Sequence, residues 1–183
     1  LFRRRKANCC FLLFRDYLQK TIKTMINEHS IEHISTSSAS VEGSNKTAVD
    51  YRYLRMARIW AENSYCKRRQ VGALVVKDKM IISDGYNGTP SGFENVCEDE
   101  LGVTKPYVLH AEANAITKLA RSGNNSEGST LYVTASPCIE CSKLIIQSGI
   151  KRVVYGEKYR LEEGLDLLRK ANIEVIYLNP DTE

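Results

Sequence analysis

The sequence predicts a three-layer α/β/α sandwich around a mixed sheet of about five strands. Three observations predict it. β-rich segments stand at residues 71–76, 80–83, 130–135, 151–155 and 173–178. Helix-patterned segments separate most of them, which implies parallel pairing with helices on the faces. Only Lys77-Asp78-Lys79 joins the first two, so these form an antiparallel hairpin at one side of the sheet.

Asp50 is placed to cap a first helix, whose buried side is Leu54, Ala57, Ile59, Trp60 and Ala61. The hairpin follows, and then Gly85-Tyr86-Asn87-Gly88-Thr89-Pro90-Ser91-Gly92, a loop dense in glycine and proline. Residues 111–120 are alanine-rich with helical spacing and are stopped by Gly123. After the strand at 130–135, Pro137 suits the first turn of a helix that runs to Gln147 and ends at Gly149. A strand at 151–155, a helix at 162–171 and a strand at 173–178 complete the order.

Ahead of Asp50 the pattern changes. Residues 35–47 are small, polar and serine-rich, a composition that cannot bury a core and reads as a linker. Residues 11–26 have the spacing of an amphipathic helix, yet residues 1–49 as a whole read as a poorly ordered extension ahead of a single domain at 50–183. The chain begins with Leu1, and Met25 is a candidate natural start. The basic opening and the short apolar run Cys9–Phe14 loosely resemble a signal peptide, but the run is short and no small-residue cleavage site follows. No run is long enough to span a bilayer. The cytoplasm is therefore the expected compartment, with no membrane partner.

The net charge of +4 sits in the extension: residues 1–49 hold eight Lys/Arg against four Asp/Glu, and residues 50–183 hold eighteen of each. A domain that grips a long polyanion usually carries a basic surface of its own. The balance favours a small-molecule substrate, with no nucleic acid expected.

Six cysteines in a chain without an export signal point to metal or catalysis for any closely spaced pair. That pair is Cys138 and Cys141, at the start of a helix, where both thiols can face one point and where the helix N-terminus favours thiolate. His110-Ala111-Glu112 opens another helix. One imidazole and two thiolates select zinc and leave a fourth position open for water, as catalytic sites do. Glu112, two residues from His110, is free to take a proton from that water and deliver it to a substrate base. H-x-E with P-C-x-x-C is the known signature of zinc deaminases. A structural zinc site would want a fourth ligand; the domain has no second histidine, but Cys66 or Cys97 could supply one.

On these residues the chain resembles the cytidine/deoxycytidylate deaminase superfamily, with the closer likeness to deoxycytidylate deaminases. The likeness runs through Val71-Gly72-Ala73, Gly85–Pro90, His110–Ile116 and Ser136–Ile150, spanning roughly residues 50–178. It implies a cytidine-deaminase-like fold and zinc-dependent hydrolysis of the cytosine C–N bond of dCMP to give dUMP, a step that feeds thymidylate synthesis. It implies that Asn87 contacts the sugar, and that the Ala111 amide and Ser136 carbonyl hold the pyrimidine edge. Arg68 and Tyr159 are implied as phosphate contacts. A homo-oligomer is implied as well, with the hexamer common among such enzymes. So is a dCTP/dTTP effector with Mg2+ at the loop bearing Gly85 and Gly88. Some relatives carry a second, structural zinc, and Cys66 and Cys97 resemble its thiols; with no accompanying histidine, buried free thiols are expected. The alternatives are a tRNA adenosine deaminase or another cytosine nucleoside deaminase on the same fold, and a zinc-stabilised binding protein without turnover. The Gly-Thr-Pro-Ser-Gly continuation after Asn87 speaks against the tRNA enzyme, and Glu112 against the non-catalytic protein.

Overall fold

The computed structural model describes residues 35–159 and 161–179, with side chains from Lys46 onward. The expected helix at 11–26 lies outside the described residues. Contacts divide the chain into Leu1–Asn45 and Lys46–Glu183; the architecture below is that of the second unit. Among the described residues, no helix is long and apolar enough to cross a membrane.

The elements run α1 (Ser35–Ala61), β1 (Gly72–Lys77), β2 (Met80–Tyr86), α2 (Ala111–Leu119), β3 (Thr130–Ala135), α3 (Ile139–Gln147), β4 (Arg152–Glu157), α4 (Glu163–Lys170) and β5 (Glu174–Tyr177). The strands form a five-stranded sheet ordered β2-β1-β3-β4-β5. β1 pairs antiparallel with β2 and with β3, while β3, β4 and β5 run parallel. The expected mixed sheet with an edge hairpin is what forms. Its turn is tighter than expected: Lys77 and Met80 pair directly, and Asp78 and Lys79 both take left-handed backbone, φ 49° and 64°. This matches the primed turns that fit strand twist.

Side chains alternate across the sheet. Ala73, Val75, Leu131, Val133, Val153 and Tyr155 share one face with Ala111, Ala115, Ile145, Leu165 and Leu168 of α2, α3 and α4. Leu74, Val76, Tyr132 and Val154 share the other with Ala57 and Tyr53 of α1. Both faces are covered, which is why the strands read as nearly unbroken apolar runs. Each large side chain fully buried here contributes about 1.5–3 kcal/mol of transfer free energy.

Three expectations about α1 change: Ile59 and Trp60, expected on its buried side, are exposed, at 63% and 38%. The serine-rich stretch read as a linker is helical backbone from Ser35. Asp50 therefore lies inside the helix and is no cap. It is buried, and its Oδ1 accepts hydrogen bonds from Tyr132 Oη at 2.7 Å and Arg152 Nη1 at 2.8 Å. The second Arg152 nitrogen, Nη2, meets Oδ2, making a two-pronged ion pair from α1 to β4. Removing Asp50 leaves the buried Arg152 with the half-exposed Glu174, at 3.1 Å, in place of its buried partner. Asp50→Ala is expected to lower stability by about 3–5 kcal/mol in chemical denaturation, and an unchanged midpoint would show that the pair is solvated.

Candidate active site

α2 and α3 bring their N-terminal ends to one place. His110 is the N-cap of α2 (φ −73°, ψ 155°) and Cys138 the N-cap of α3 (φ −74°, ψ 170°). Neither side chain caps its own helix; both turn toward Cys141, one turn into α3. Pro137, expected inside the first turn, precedes the cap and is fully buried.

Two glycines let the helices sit where they do. A Cβ on Gly85 would lie 2.2 Å from the Ala111 carbonyl oxygen and 2.6 Å from the Ala115 nitrogen, so the bare backbone of β2 admits α2. A Cβ on Gly164 would lie 2.3 Å from the Pro137 carbonyl oxygen, so α4 packs flush against the turn before α3.

His110 Nδ1 stands 3.4 Å from Cys138 Sγ and 3.4 Å from Cys141 Sγ. Among the described residues these three form the group able to hold a metal ion, their ligand atoms within 4.8 Å of one another. A tetrahedral centre with Zn–S of about 2.3 Å and Zn–N of about 2.0–2.1 Å spaces nitrogen and sulfur by roughly 3.5 Å. The donor set and its spacing therefore fit zinc. The Cys138 thiol is pushed down to about 3, because the Cys141 thiol donates to it and His110 stands beside it. Cys141 moves up, its proton held against Cys138 and its surroundings buried. The contact with Cys138 raises His110. Glu112 is 4% exposed; burial raises its carboxyl, while His110 and a hydrogen bond with Cys141 pull it back. A buried carboxyl that binds a proton readily beside the metal ligands is suited to shuttling one.

A cavity of about 580 Å³ opens on this cluster, within the range of small-ligand sites. His110, Ala111, Glu112, Ser136, Cys138, Asn87, Arg68 and Tyr159, all singled out in the sequence, line it together. Asn87 is partly spoken for: its Oδ1 accepts the Val71 N–H at 2.8 Å and its Nδ2 donates to the Arg69 carbonyl at 2.8 Å. The Tyr159 N–H donates to Ser136 Oγ at 2.8 Å. Arg68 Nη1 reaches Thr104 Oγ1 at 3.4 Å.

Sequence reasoning missed other lining residues, among them Arg69, Lys158 and Glu98. Arg69 pairs with Glu157 at 2.6 Å and lies over the Tyr159 ring at 5.4 Å from its centroid. Arg69 and Lys158 adjoin residues already chosen, so a wider window would have caught them; Glu98 carried no local signal.

Two expectations are revised. Cys66 and Cys97, expected as free thiols, are joined in a disulfide, because the segment before β1 and the loop before α2 meet there. Gly85 and Gly88 do not line the cavity. Gly85 is buried beneath α2, and the Asn87 and Gly88 N–H groups are donated to the carbonyls of Val71 and Leu109 at 3.1 Å each. The loop's glycines serve packing and bridging, and those two amides are not free to cradle a phosphate.

The geometry has counterparts among known proteins. The model of the cytidine and deoxycytidylate deaminase zinc-binding region matches residues 47–157. The deoxycytidylate deaminase of Enterobacteria phage T4 is 37% identical over 165 residues, covering 67% of this chain and 86% of that one. The human deoxycytidylate deaminase is 38% identical over 116 residues, covering 58% of this chain and 64% of that one. The crystal structure of the dCMP deaminase from cyanophage S-TIM5, in complex with dCMP and dUMP, superposes with a TM-score of 0.70 at 46% identity. That match covers 72% of this chain and 97% of the cyanophage chain. With the metal-ligand cluster, the neighbouring carboxylate and the five-stranded sheet in agreement, this chain belongs to the cytidine and deoxycytidylate deaminase family.

Proposed function

We propose that residues 50–183 form a hydrolase domain that converts dCMP and water to dUMP and ammonia. The reading rests first on the cluster of His110, Cys138 and Cys141, with His110, Cys138 and the buried Glu112 lining one cavity. The likeness to enzymes named deoxycytidylate deaminase supports the substrate. Zinc, when bound by these three residues, supplies a Lewis acid that activates water.

The chain's own residues divide the remaining work. Glu112 accepts a proton from the attacking water and passes it to the ring nitrogen beside the amine-bearing carbon, then takes the second water proton and gives it to the departing amine. The Ala111 N–H and the Ser136 carbonyl hold the pyrimidine edge. Asn87 contacts the sugar with the hydrogen-bonding capacity its backbone ties leave over. Arg68 and Tyr159 face the phosphate. The local concentration of Arg68, Arg69 and Lys158 on a domain of zero net charge supports a compact anion over an extended polyanion. The reading extends to a cytoplasmic homo-oligomer, which rests on the family likeness. It also extends to regulation by dCTP and dTTP with Mg2+, which rests on the family likeness alone.

The test is a substrate panel of dCMP, dCTP, cytidine and deoxycytidine, with zinc measured on the same preparation. Preferred turnover of dCMP supports the reading; turnover confined to the nucleosides removes the phosphate contacts. Arg68→Ala is expected to raise KM for dCMP about ten- to a hundredfold, the worth of one hydrogen bond to a charged group, with kcat little changed. An unaltered KM would take the phosphate role from Arg68.

A further inference from the structure

Residues 67–71, Lys-Arg-Arg-Gln-Val, lie outside every helix and strand, yet carry two of the cationic side chains of the cavity wall. A segment without ladder hydrogen bonds needs other partners for its amides. At one end, Asn87 accepts the Val71 N–H and donates to the Arg69 carbonyl. At the other, a single carboxylate oxygen does the work: Glu98 Oε1 accepts the Lys67 N–H at 3.0 Å and the Arg68 N–H at 3.1 Å. Glu98 is 8% exposed, and its residue bridges to Thr104, whose hydroxyl meets Arg68 Nη1. The Cys66–Cys97 link lies immediately before both partners in sequence and brings them together.

We infer that Glu98 is a positioning residue: by gripping the Lys67 and Arg68 amides it fixes the Arg68–Arg69 segment on the cavity wall, and so sets affinity for the anionic end of the nucleotide and not the rate of the chemical step. The inference deepens the dCMP reading and rests on it. Glu98 acts through backbone geometry; its charge is not what the segment needs, since a glutamine carbonyl accepts the same two hydrogen bonds.

The experiment measures kcat and KM for dCMP in Glu98→Ala, Glu98→Asp, Glu98→Gln, Arg68→Ala and the Glu98→Ala/Arg68→Ala double variant, with zinc content and thermal melting recorded for each. Glu98→Ala and Glu98→Asp are expected to raise KM about tenfold with kcat within about threefold of wild type, the signature of lost binding without lost transition-state stabilisation. Glu98→Gln is expected to stay near wild type in both constants. The KM increase of the double variant is expected to be smaller than the product of the two single increases, because both act on one contact. If Glu98→Ala does not fold, Asp against Gln decides. A fall in kcat at constant KM, a Gln variant as impaired as Ala or Asp, or fully multiplicative effects would each overturn the inference while leaving the deaminase reading intact. Wild-type protein inert toward dCMP overturns the reading itself, and this inference with it.

Discussion

Glu112→Gln is expected to retain zinc, fold and cavity, and to lose kcat for dCMP by about a thousandfold or more, within the upper range for a positioned general acid–base group. The substitution keeps the volume of a side chain that is 4% exposed and removes a buried charge from its surroundings, so stability is expected to hold or rise. The deficit belongs in kcat, because Glu112 acts on protons in flight and its contribution to ground-state binding is small. Metal analysis, a thermal melt and the absorbance change on deamination provide the three readouts. A variant that keeps substantial turnover with full zinc occupancy would refute the proton shuttle and leave the fold and metal site untouched.

Cys138→Ala is expected to do the opposite. It removes a ligand whose thiol is already pushed down to about 3, leaving His110 and Cys141 as an incomplete site. Zinc content should fall to background, and turnover with it. Stability should follow, since metal affinity is also folding free energy. A ligand present at a thousand times its dissociation constant stabilises the native state by about 4 kcal/mol, so zinc should raise the wild-type melting temperature and leave that of the variant unmoved. The wild-type response should weaken as pH falls: His110 and Cys141 are both shifted upward, hold protons more readily, and must release them to the metal. A zinc response that persists in the variant would place the metal elsewhere.

The site was more legible than its surroundings because its information is local. His110 with Glu112, and Cys138 with Cys141, are pairs within one helical turn, and the chemistry of each pair can be read without knowing the fold. The strand order was legible for a related reason: apolar runs separated by helical spacing leave few topologies. What escaped was carried by long-range partners. Asp50 looks like a helix cap because serine-rich sequence precedes it; its true partner, Arg152, is 102 positions away. Cys66 and Cys97 are separated by 31 residues and sit in no motif, so their pairing follows only from two irregular segments meeting in space. Glu98 had no periodicity to mark it, as its partners are main-chain N–H groups that every sequence possesses.

The two bare glycines beneath the metal-binding helices carry a consequence for tolerance to change. Gly85 touches α2 and Gly164 touches the turn into α3, and neither reaches the cavity or a ligand atom. A single methyl at Gly85 would meet the Ala111 carbonyl oxygen at 2.2 Å and one at Gly164 the Pro137 carbonyl oxygen at 2.3 Å, so α2 or the turn into α3 must shift and carry His110 or Cys138 with it. Ion retention in this enzyme is thus governed partly by surface fit between layers. Substitutions that never meet the nucleotide can empty the centre as effectively as deleting one of its sulfurs.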